Sequence, residues 1–169
     1  RDFQATDLAE AARNVAGMTA EPRNNSDFAN FTVRGFRTAN TLRNGVRRVG
    51  LTDTVNIQRI EVAKGPNALL YGFLDPGGAI NTITKRPTLT PQVSVGASFG
   101  TDDFLRSTLS YNRPLNATRS VLFRVDASYL EQGSHRDFAD TQKRVVAPVV
   151  QVRLTPRTTW TGDFEWINV

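Results

Sequence analysis

Alternating apolar and polar residues dominate the second half of the chain. In residues 92–99 every second residue is apolar, and residues 121–130 repeat the pattern with Arg124, Asp126 and Ser128 at the alternate positions. A period of two puts the apolar side chains on one face of a β-strand. Similar runs occupy residues 104–112, 144–154 and 158–169, the last with Trp160, Phe164 and Trp166 on one face. The pattern predicts five antiparallel strands with ion-pairing groups opposite the apolar face.

The first half of the chain opens with a helical pattern. Residues 6–17 carry apolar side chains at helical spacing, at Leu8, Ala11, Ala12 and Val15. Thr6 or Asp7 suits the start of the helix, because a short polar side chain accepts a hydrogen bond from a free backbone N–H. Gly17 suits its end, where a residue in the left-handed conformation is common. We therefore predict one amphipathic helix over residues 6–17.

Two short β-like segments follow this helix. Residues 31–36, FTVRGF, have the composition of a strand. Asn44-Gly45 stands between Leu42 and Val46, and both turn residues tolerate a positive φ. The sequence therefore predicts a strand over residues 31–36 and a two-residue hairpin turn at Asn44-Gly45.

The segment IQRIEVAKGPNALLYGFLDPGGAINTITKRP, which begins at Ile57, contains glycines and prolines at positions that restrict the backbone. Its first residues predict a strand in which Arg59 and Glu61 lie on the face opposite Ile60 and Val62. Charged residues on a covered strand face require partners of opposite charge. A solvated strand face is the alternative interpretation of these two residues.

The remainder of this segment predicts a short helix, a turn and a second strand. Pro66 suits the first turn of a helix and Gly72 the residue after its end, which limits the helix to Asn67–Tyr71. The glycines of Asp75-Pro76-Gly77-Gly78 permit a tight turn. Residues 79–84 then resume an alternating β pattern.

Composition excludes several classes of protein. The chain has 169 residues and no cysteine, which removes disulfides, zinc–thiolate sites and cysteine nucleophiles. Its net charge is +5, and residues 1–88 hold 12 Arg/Lys against 8 Asp/Glu, so the positive excess lies in the first half. The sequence has no stretch of about 18 apolar residues that forms a spanning helix. It also has no basic stripe with interleaved aromatic residues, so we expect no nucleic-acid partner.

Catalytic and metal-binding constellations are not found in the sequence. His135 is the only histidine and stands in a polar segment, which favours a solvated loop residue over a base or ligand. Asp102-Asp103, Asp137 and Asp140 are loop carboxylates of the kind that form turns, and no neighbouring residue completes a calcium site. We therefore expect neither enzymatic activity nor a protein-bound metal.

The segment KGP…LYG…PGG.IN..TKRP resembles the end of the plug domain in TonB-dependent outer-membrane receptors, especially siderophore receptors. The residues that carry this motif are Gly65, Pro66, Gly72, Gly77 and Gly78. The resemblance implies an α+β plug domain over residues 1–87, N-terminally incomplete. It also implies that residues 88–169 form about the first five strands of an antiparallel transmembrane β-barrel, C-terminally incomplete and of the plugged type with about 22 strands.

The same resemblance assigns candidate roles to nine residues. It puts the loops near Arg34, Phe36, Arg37, Arg47 and Arg48 at the outer face of the plug, where guanidinium groups and an aromatic ring suit an anionic iron chelate. It implies that Arg59 and Glu61 hold the plug by pairing with charges on the barrel wall, with Lys64 and Arg86 as lesser candidates. Arg47 and Arg48 could equally pair with barrel carboxylates.

The function implied by the resemblance is TonB-coupled uptake of ferric siderophores across the Gram-negative outer membrane. Its partners are the ferric siderophore, TonB and outer-membrane lipid, with the TonB-contacting segment expected before residue 1. No cofactor is expected, because the iron travels within the siderophore. Cobalamin or an oligosaccharide is the alternative ligand, and a soluble β-rich binding module is the alternative of another class. The sequence does not decide whether a signalling domain precedes the plug.

Overall fold

The computed structural model describes residues 8, 11, 15–20, 31–38, 41–48, 50–64, 78–101, 103–133 and 141–169. The chain divides into two compact units, Arg1–Lys85 and Arg86–Val169. Leu8 and Ala11 are helical. Among the described residues, no helix is long and apolar enough to cross a membrane.

Strands account for most of the described residues. They are β1 (Met18–Ala20), β2 (Phe31–Val33), β3 (Phe36–Thr38), β4 (Thr41–Arg43), β5 (Val46–Arg48), β6 (Ile57–Lys64), β7 (Gly78–Thr84), β8 (Gln92–Phe99), β9 (Leu105–Pro114), β10 (Val121–Gln132), β11 (Thr141–Thr155), β12 (Thr158–Asp163) and β13 (Trp166–Asn168).

The first unit contains two sheets around one core. Strands β1, β2 and β3 form an antiparallel sheet in that order, and β5, β4, β7 and β6 form a second sheet in which β4 and β7 are parallel. Both sheets contribute to the core, together with the helical residue Leu8. The buried core side chains are Leu8, Met18, Phe31, Val33 and Ile80. Ile60 and Val62 pack against them, so the predicted apolar face of β6 is confirmed.

Two hairpins of the first unit have turns of the same kind. Asn44 and Gly45 have φ values of 51° and 82°, which confirms the predicted hairpin turn. Arg34 and Gly35 have the same two values, and they join β2 to β3. Residues 31–36 are therefore β-structured as predicted, but they belong to two strands with a turn between them. The segment folds back at Arg34 because Gly35 accepts the positive φ that the turn requires.

The helix end and the long segment from Ile57 agree with the sequence wherever they are described. Gly17 has a φ of 73°, the left-handed conformation predicted for it. Strands β6 and β7 flank residues 65–77, as expected. The predicted helix Asn67–Tyr71 lies outside the described residues, as do Gly65, Pro66, Gly72 and Gly77.

Strand β7 departs from the predicted alternation. Six of its seven residues are buried, and only Ile83 is half-buried. The strand is hydrogen-bonded to β4 along one edge and to β6 along the other, and its buried side chains lie on both faces of the sheet. An interior strand covered on both faces has no solvent-facing set of side chains, which removes the period of two in burial.

The second unit is an antiparallel meander of strands β8 to β12, in chain order, with β13 also paired to β11. The predicted strands are confirmed, the last with an interruption. Strands β12 and β13 pair with β11 in the same register, in which Val149 is opposite Asp163 and Val146 is opposite Trp166. The ladder is interrupted between them, at residues 164–165. Phe164 donates its N–H to the carbonyl of Pro148, and proline has no N–H to return the bond.

One face of this meander is apolar and exposed. Register aligns the apolar positions of neighbouring strands into rows, such as Val95, Leu109, Ala127, Val146 and Trp166. Val95 is 76% exposed and Phe99 is 80% exposed. Trp160 and Trp166 lie on this apolar face and are six residues apart. At about 3.4 Å per residue, the apolar face therefore extends about 20 Å along the strand direction. This height is close to the apolar band of about 25 Å that faces lipid in membrane barrels.

The opposite face of the meander is largely buried, and it combines polar side chains on β9 and β10 with the apolar side chains Val145, Ala147 and Val149 of β11. Asp126 is 1% exposed and receives two hydrogen bonds from Arg124, which also donates to Ser110. Asn112 is 1% exposed and binds the segment before β8: its amide oxygen accepts the N–H of Thr88, and its amide nitrogen donates to the carbonyl of Thr90. The predicted separation of apolar and ion-pairing faces in residues 121–130 is confirmed.

Candidate functional site

The β2–β3 hairpin carries three of the candidate ligand residues. Arg34 occupies the first turn position and is exposed, and its backbone N–H donates to the carbonyl of Gly17 at 2.9 Å. Phe36 is 52% exposed, and Arg37 is also exposed. The Arg34 side chain forms no hydrogen bond or ion pair with any other residue that the structure describes. Its guanidinium group is thus available to a ligand.

The β4–β5 hairpin carries the other two ligand candidates, Arg47 and Arg48, which differ in exposure and in hydrogen bonding. Arg47 is exposed, and its side chain has no hydrogen-bonding partner in the described part of the chain. Arg48 is half-buried and donates from Nη2 to the carbonyl of Leu51 at 2.8 Å. Arg48 therefore has a role in fixing the loop after β5, and Arg47 is the better ligand candidate of the two.

Arg59 and Glu61, the candidate locking residues, form an ion pair with each other. Arg59 Nε lies 2.8 Å from Glu61 Oε1, with side chains 59% and 35% exposed. The hydrogen bond from Arg59, with a smaller contribution from Asn81, holds the pKa of the Glu61 carboxyl below its usual range. Pairing of these two residues with the barrel wall stays a prediction.

The two lesser locking candidates, Lys64 and Arg86, have different surroundings. Lys64 donates a hydrogen bond from Nζ to the carbonyl of Ala16, which ties the end of β6 to the residues before β1. Arg86 is exposed and begins the second unit of the chain. The structure therefore brings Arg59 and Glu61 together, whereas Lys64 bonds the residues before β1.

Asn81 joins the two groups of candidates, and sequence reasoning missed it. Its Oδ1 accepts the backbone N–H of Gly45 at 2.9 Å, and its Nδ2 donates to Glu61 Oε2 at 3.1 Å. Asn81 is 4% exposed on the interior strand β7. An asparagine between Ile80 and Thr82 in a β pattern was the available signal, because a buried amide needs hydrogen-bond partners.

The Asn44 side chain fastens the same hairpin to β7. Its Oδ1 accepts the backbone N–H of Thr84 at 3.0 Å, and its Nδ2 donates to Thr84 Oγ1 at 2.9 Å. The Asn44 backbone N–H donates to the carbonyl of Thr82 at 2.9 Å. The turn beside Arg47 is therefore held rigidly on the interior strand, and Arg47 projects from a fixed base.

In the described ranges, no group of three or more His, Asp or Glu side chains is arranged to hold a metal ion. His135, Asp137 and Asp140 lie outside those ranges. The site that the described residues form is a set of exposed guanidinium groups on two hairpins, suited to an anionic ligand.

Arg34 has a φ of 51°, in the left-handed region that residues with a Cβ disfavour. Replacing Arg34 should therefore change the stability of the fold and the binding of a ligand in opposite directions. A side chain with a Cβ in the left-handed region costs about 1–2 kcal/mol, and asparagine is favoured there. We expect Arg34→Asn to stabilise the first unit by about 0.5–1 kcal/mol and to remove a guanidinium group that the expected anionic ligand would contact. Thermal unfolding and chelate titration of the full-length receptor measure the two effects. Stabilisation with full binding would remove Arg34 from the ligand site.

Comparisons with known proteins agree with this geometry. The TonB-dependent Receptor Plug Domain family matches residues 1–79. The chain is 37% identical over 116 residues to the metal-pseudopaline receptor CntO of Pseudomonas aeruginosa, covering 69% of this chain and 16% of CntO. It is 33% identical over 157 residues to the catecholate siderophore receptor Fiu of Escherichia coli, covering 89% of this chain and 20% of Fiu. The chain thus spans about a fifth or less of either relative.

A solved structure supports the same assignment. The pyoverdine outer membrane receptor FpvA from Pseudomonas aeruginosa superposes with a TM-score of 0.90 and 28% identity, covering 98% of this chain and 26% of FpvA. The predicted fold class, a plug domain followed by antiparallel barrel strands, is confirmed. The extent of each domain and the strand number of the complete barrel stay predictions. The chain belongs to the TonB-dependent receptors of the Gram-negative outer membrane, and it carries their plug domain and the first strands of their barrel.

Proposed function

We propose that the full-length protein binds a ferric siderophore at the cell surface and imports it by TonB-coupled rearrangement of the plug. The observation that carries the proposal is the pair of exposed guanidinium groups, Arg34 and Arg47, on two plug hairpins with matching turns. Neither side chain is used by another described residue. Charge-assisted hydrogen bonds from guanidinium to anionic oxygens are among the stronger polar contacts that a protein offers.

The relatives support the chemical class of the ligand. Fiu is named for a catecholate siderophore, another relative for ferripyoverdine, and CntO for metal-pseudopaline. All three names describe metal chelates, and none describes cobalamin or an oligosaccharide. A ferric chelate with exposed anionic oxygens therefore fits this chain better than either alternative ligand.

The remaining partners follow from the same proposal. TonB relays the energy of the inner-membrane proton gradient through a segment before the plug, and outer-membrane lipid faces the apolar rows of the second unit. The iron is cargo within the siderophore, and the protein needs no resident cofactor. The receptor transports its ligand without chemical change, so we propose no enzymatic activity.

Replacing the four candidate arginines tests the ligand site. We expect Gln at positions 34, 37, 47 and 48 together to weaken binding of an anionic ferric chelate at least about tenfold, because several charge-assisted hydrogen bonds are lost. Replacing Arg34 and Arg47 alone is expected to give most of that loss. Ferric catecholate, ferripyoverdine and metal-pseudopaline are titrated separately against the full-length receptor, and iron uptake is followed in cells.

A matched variant controls for net charge. Arg113, Arg119, Arg153 and Arg157 are exposed in the second unit, and changing these four to Gln removes the same charge far along the chain. This variant should bind like the wild type.

Wild-type binding should also weaken as salt shortens the Debye length from about 30 Å to about 8 Å. Equal affinity and equal salt dependence in both quadruple variants would show that the barrel loops hold the chelate instead.

A further inference from the structure

We propose that Asn81 is a positioning residue that couples the β4–β5 hairpin to the Arg59–Glu61 ion pair. A continuous chain of hydrogen bonds carries the proposal. It runs from the Gly45 N–H to Asn81 Oδ1 at 2.9 Å, from Asn81 Nδ2 to Glu61 Oε2 at 3.1 Å, and from Arg59 Nε to Glu61 Oε1 at 2.8 Å. The significance of this coupling for uptake rests on the proposed function, but the coupling itself is a property of the ligand-free receptor.

The two neighbours of Asn81 fix the orientation of its amide. A backbone N–H donates only, and an ionised carboxylate accepts only. Rotating the amide by half a turn places its NH₂ group against the Gly45 N–H and its oxygen against the Glu61 carboxylate. Both contacts then become repulsive, so one orientation satisfies both ends. Asn81 is 4% exposed, which leaves little water to replace a broken bond.

The β4–β5 turn is hydrogen-bonded to β7 just after Asn81. Asn44 fastens the turn to Thr82 and Thr84 through its backbone and its side chain. Thr82 Oγ1 also donates to the carbonyl of Leu42 at 2.9 Å. Asn81 stands beside these anchors on the same strand and extends the contact to β6. Within the described residues, it is the one side chain that bonds both the turn and Glu61.

Register places Arg47 of the hairpin in the same row of the sheet as Asn81 and Glu61. Arg47 is opposite Leu42, Leu42 is opposite Asn81, and Asn81 is opposite Glu61. Arg47 and Glu61 are thus three strand spacings apart, about 14 Å. Direct interaction between partly exposed charges is largely screened beyond about 8 Å at physiological salt. Hydrogen bonds through Asn81 are therefore the stronger route between the candidate ligand residue and the candidate lock.

Hydrogen exchange with peptide analysis, on the purified full-length receptor without chelate, tests the coupling. Glu61→Leu removes both carboxylate oxygens from a residue that does not touch the hairpin. If Asn81 transmits the change, exchange at the Gly45 amide should rise roughly tenfold, as expected for a bond weakened at its acceptor. Asn81→Leu should raise exchange at Gly45 by at least as much. In the Asn81→Leu background, Glu61→Leu should add nothing at Gly45.

Two further variants distinguish coupling from a general loss of structure. Thr82→Val removes the bond from Thr82 to Leu42 on the same strand and leaves Asn81 in place. Exchange at β4 should rise there, while Glu61→Leu keeps its full additional effect on Gly45. The exchange pair Asn81→Asp with Glu61→Gln reverses the central bond, since glutamine then donates to aspartate. We expect this pair to restore protection at Gly45 that Asn81→Asp alone loses.

The outcomes are separable from those of the uptake experiments. Wild-type exchange at Gly45 in Glu61→Leu overturns the coupling, and so do additive effects in the Asn81→Leu background. Failure of the exchange pair to restore protection overturns it as well. None of these measurements uses a chelate. The chelate titrations alone therefore test the proposed function, and the exchange measurements test only the coupling.

Discussion

Replacing Gly78 by alanine is expected to destabilise the plug by about 4 kcal/mol or more. A Cβ on Gly78 would lie 2.1 Å from the carbonyl oxygen of Ala63 and 3.2 Å from Lys64 Cα. These are backbone atoms of the neighbouring strand, so no side-chain rotation relieves the clash. Gly78 also has a φ of 133°, which an alanine rarely adopts. Thermal unfolding and hydrogen exchange of β7 in the full-length receptor measure the loss.

Gly35→Ala is the matched control for this prediction. Gly35 also has a positive φ, of 82°, but a Cβ there meets no atom within 4 Å. Only the backbone conformation is strained, so a cost of about 1–2 kcal/mol is expected. Equal losses in the two variants would mean that the close approach of β6 at Gly78 contributes nothing, and that backbone conformation accounts for the whole effect.

Turn chemistry explains why one hairpin was predicted from the sequence and the other was missed. Asn44 and Gly45 are the residues that such a turn favours, so their order in the sequence was sufficient. Arg34 is not a usual residue for a positive φ, and FTVRGF therefore resembled one strand. The dihedral angles of the two turns nevertheless agree. The Arg34→Asn variant tests whether this turn needs a cation.

Alternation predicted the barrel strands well, because each of them has one exposed apolar face. Val95 and Trp166 lie in one exposed row, as their positions in the sequence suggest. The pattern of residues 79–84 also predicted the strand β7, but it did not predict that both faces of this strand are buried. Burial of an interior strand depends on what packs against it, and that information lies elsewhere in the chain. Periodicity therefore identifies half-buried strands more readily than interior ones.

The candidate site was predicted in its charges and missed in its connections. Arg59 and Glu61 were expected to pair with opposite charges. In the structure they pair with each other, two residues apart on the same face of β6. Asn81 has no charge and no motif of its own, so nothing in a single sequence separates it from other strand residues. Its role depends on the register of three strands, β4, β7 and β6. Such a long-range arrangement becomes visible only in three dimensions.

Replacing Asp126 by alanine is expected to destabilise the barrel strands by about 3–5 kcal/mol. Arg124 Nε lies 2.7 Å from Asp126 Oδ2 and Arg124 Nη2 lies 3.0 Å from Oδ1, with side chains 11% and 1% exposed. Removing the carboxylate leaves a buried guanidinium group with the Ser110 hydroxyl as its described partner. Denaturant unfolding of the full-length receptor in lipid vesicles measures the cost.

The double variant Arg124→Met with Asp126→Leu shows whether this cost comes from the unpaired charge. Replacing both members of a buried ion pair by apolar residues is often neutral, because the desolvation penalty of both charges disappears with their attraction. We therefore expect the double variant to be more stable than Asp126→Ala alone. A double variant as unstable as the single one would mean that packing around β10, rather than an uncompensated charge on Arg124, determines the loss.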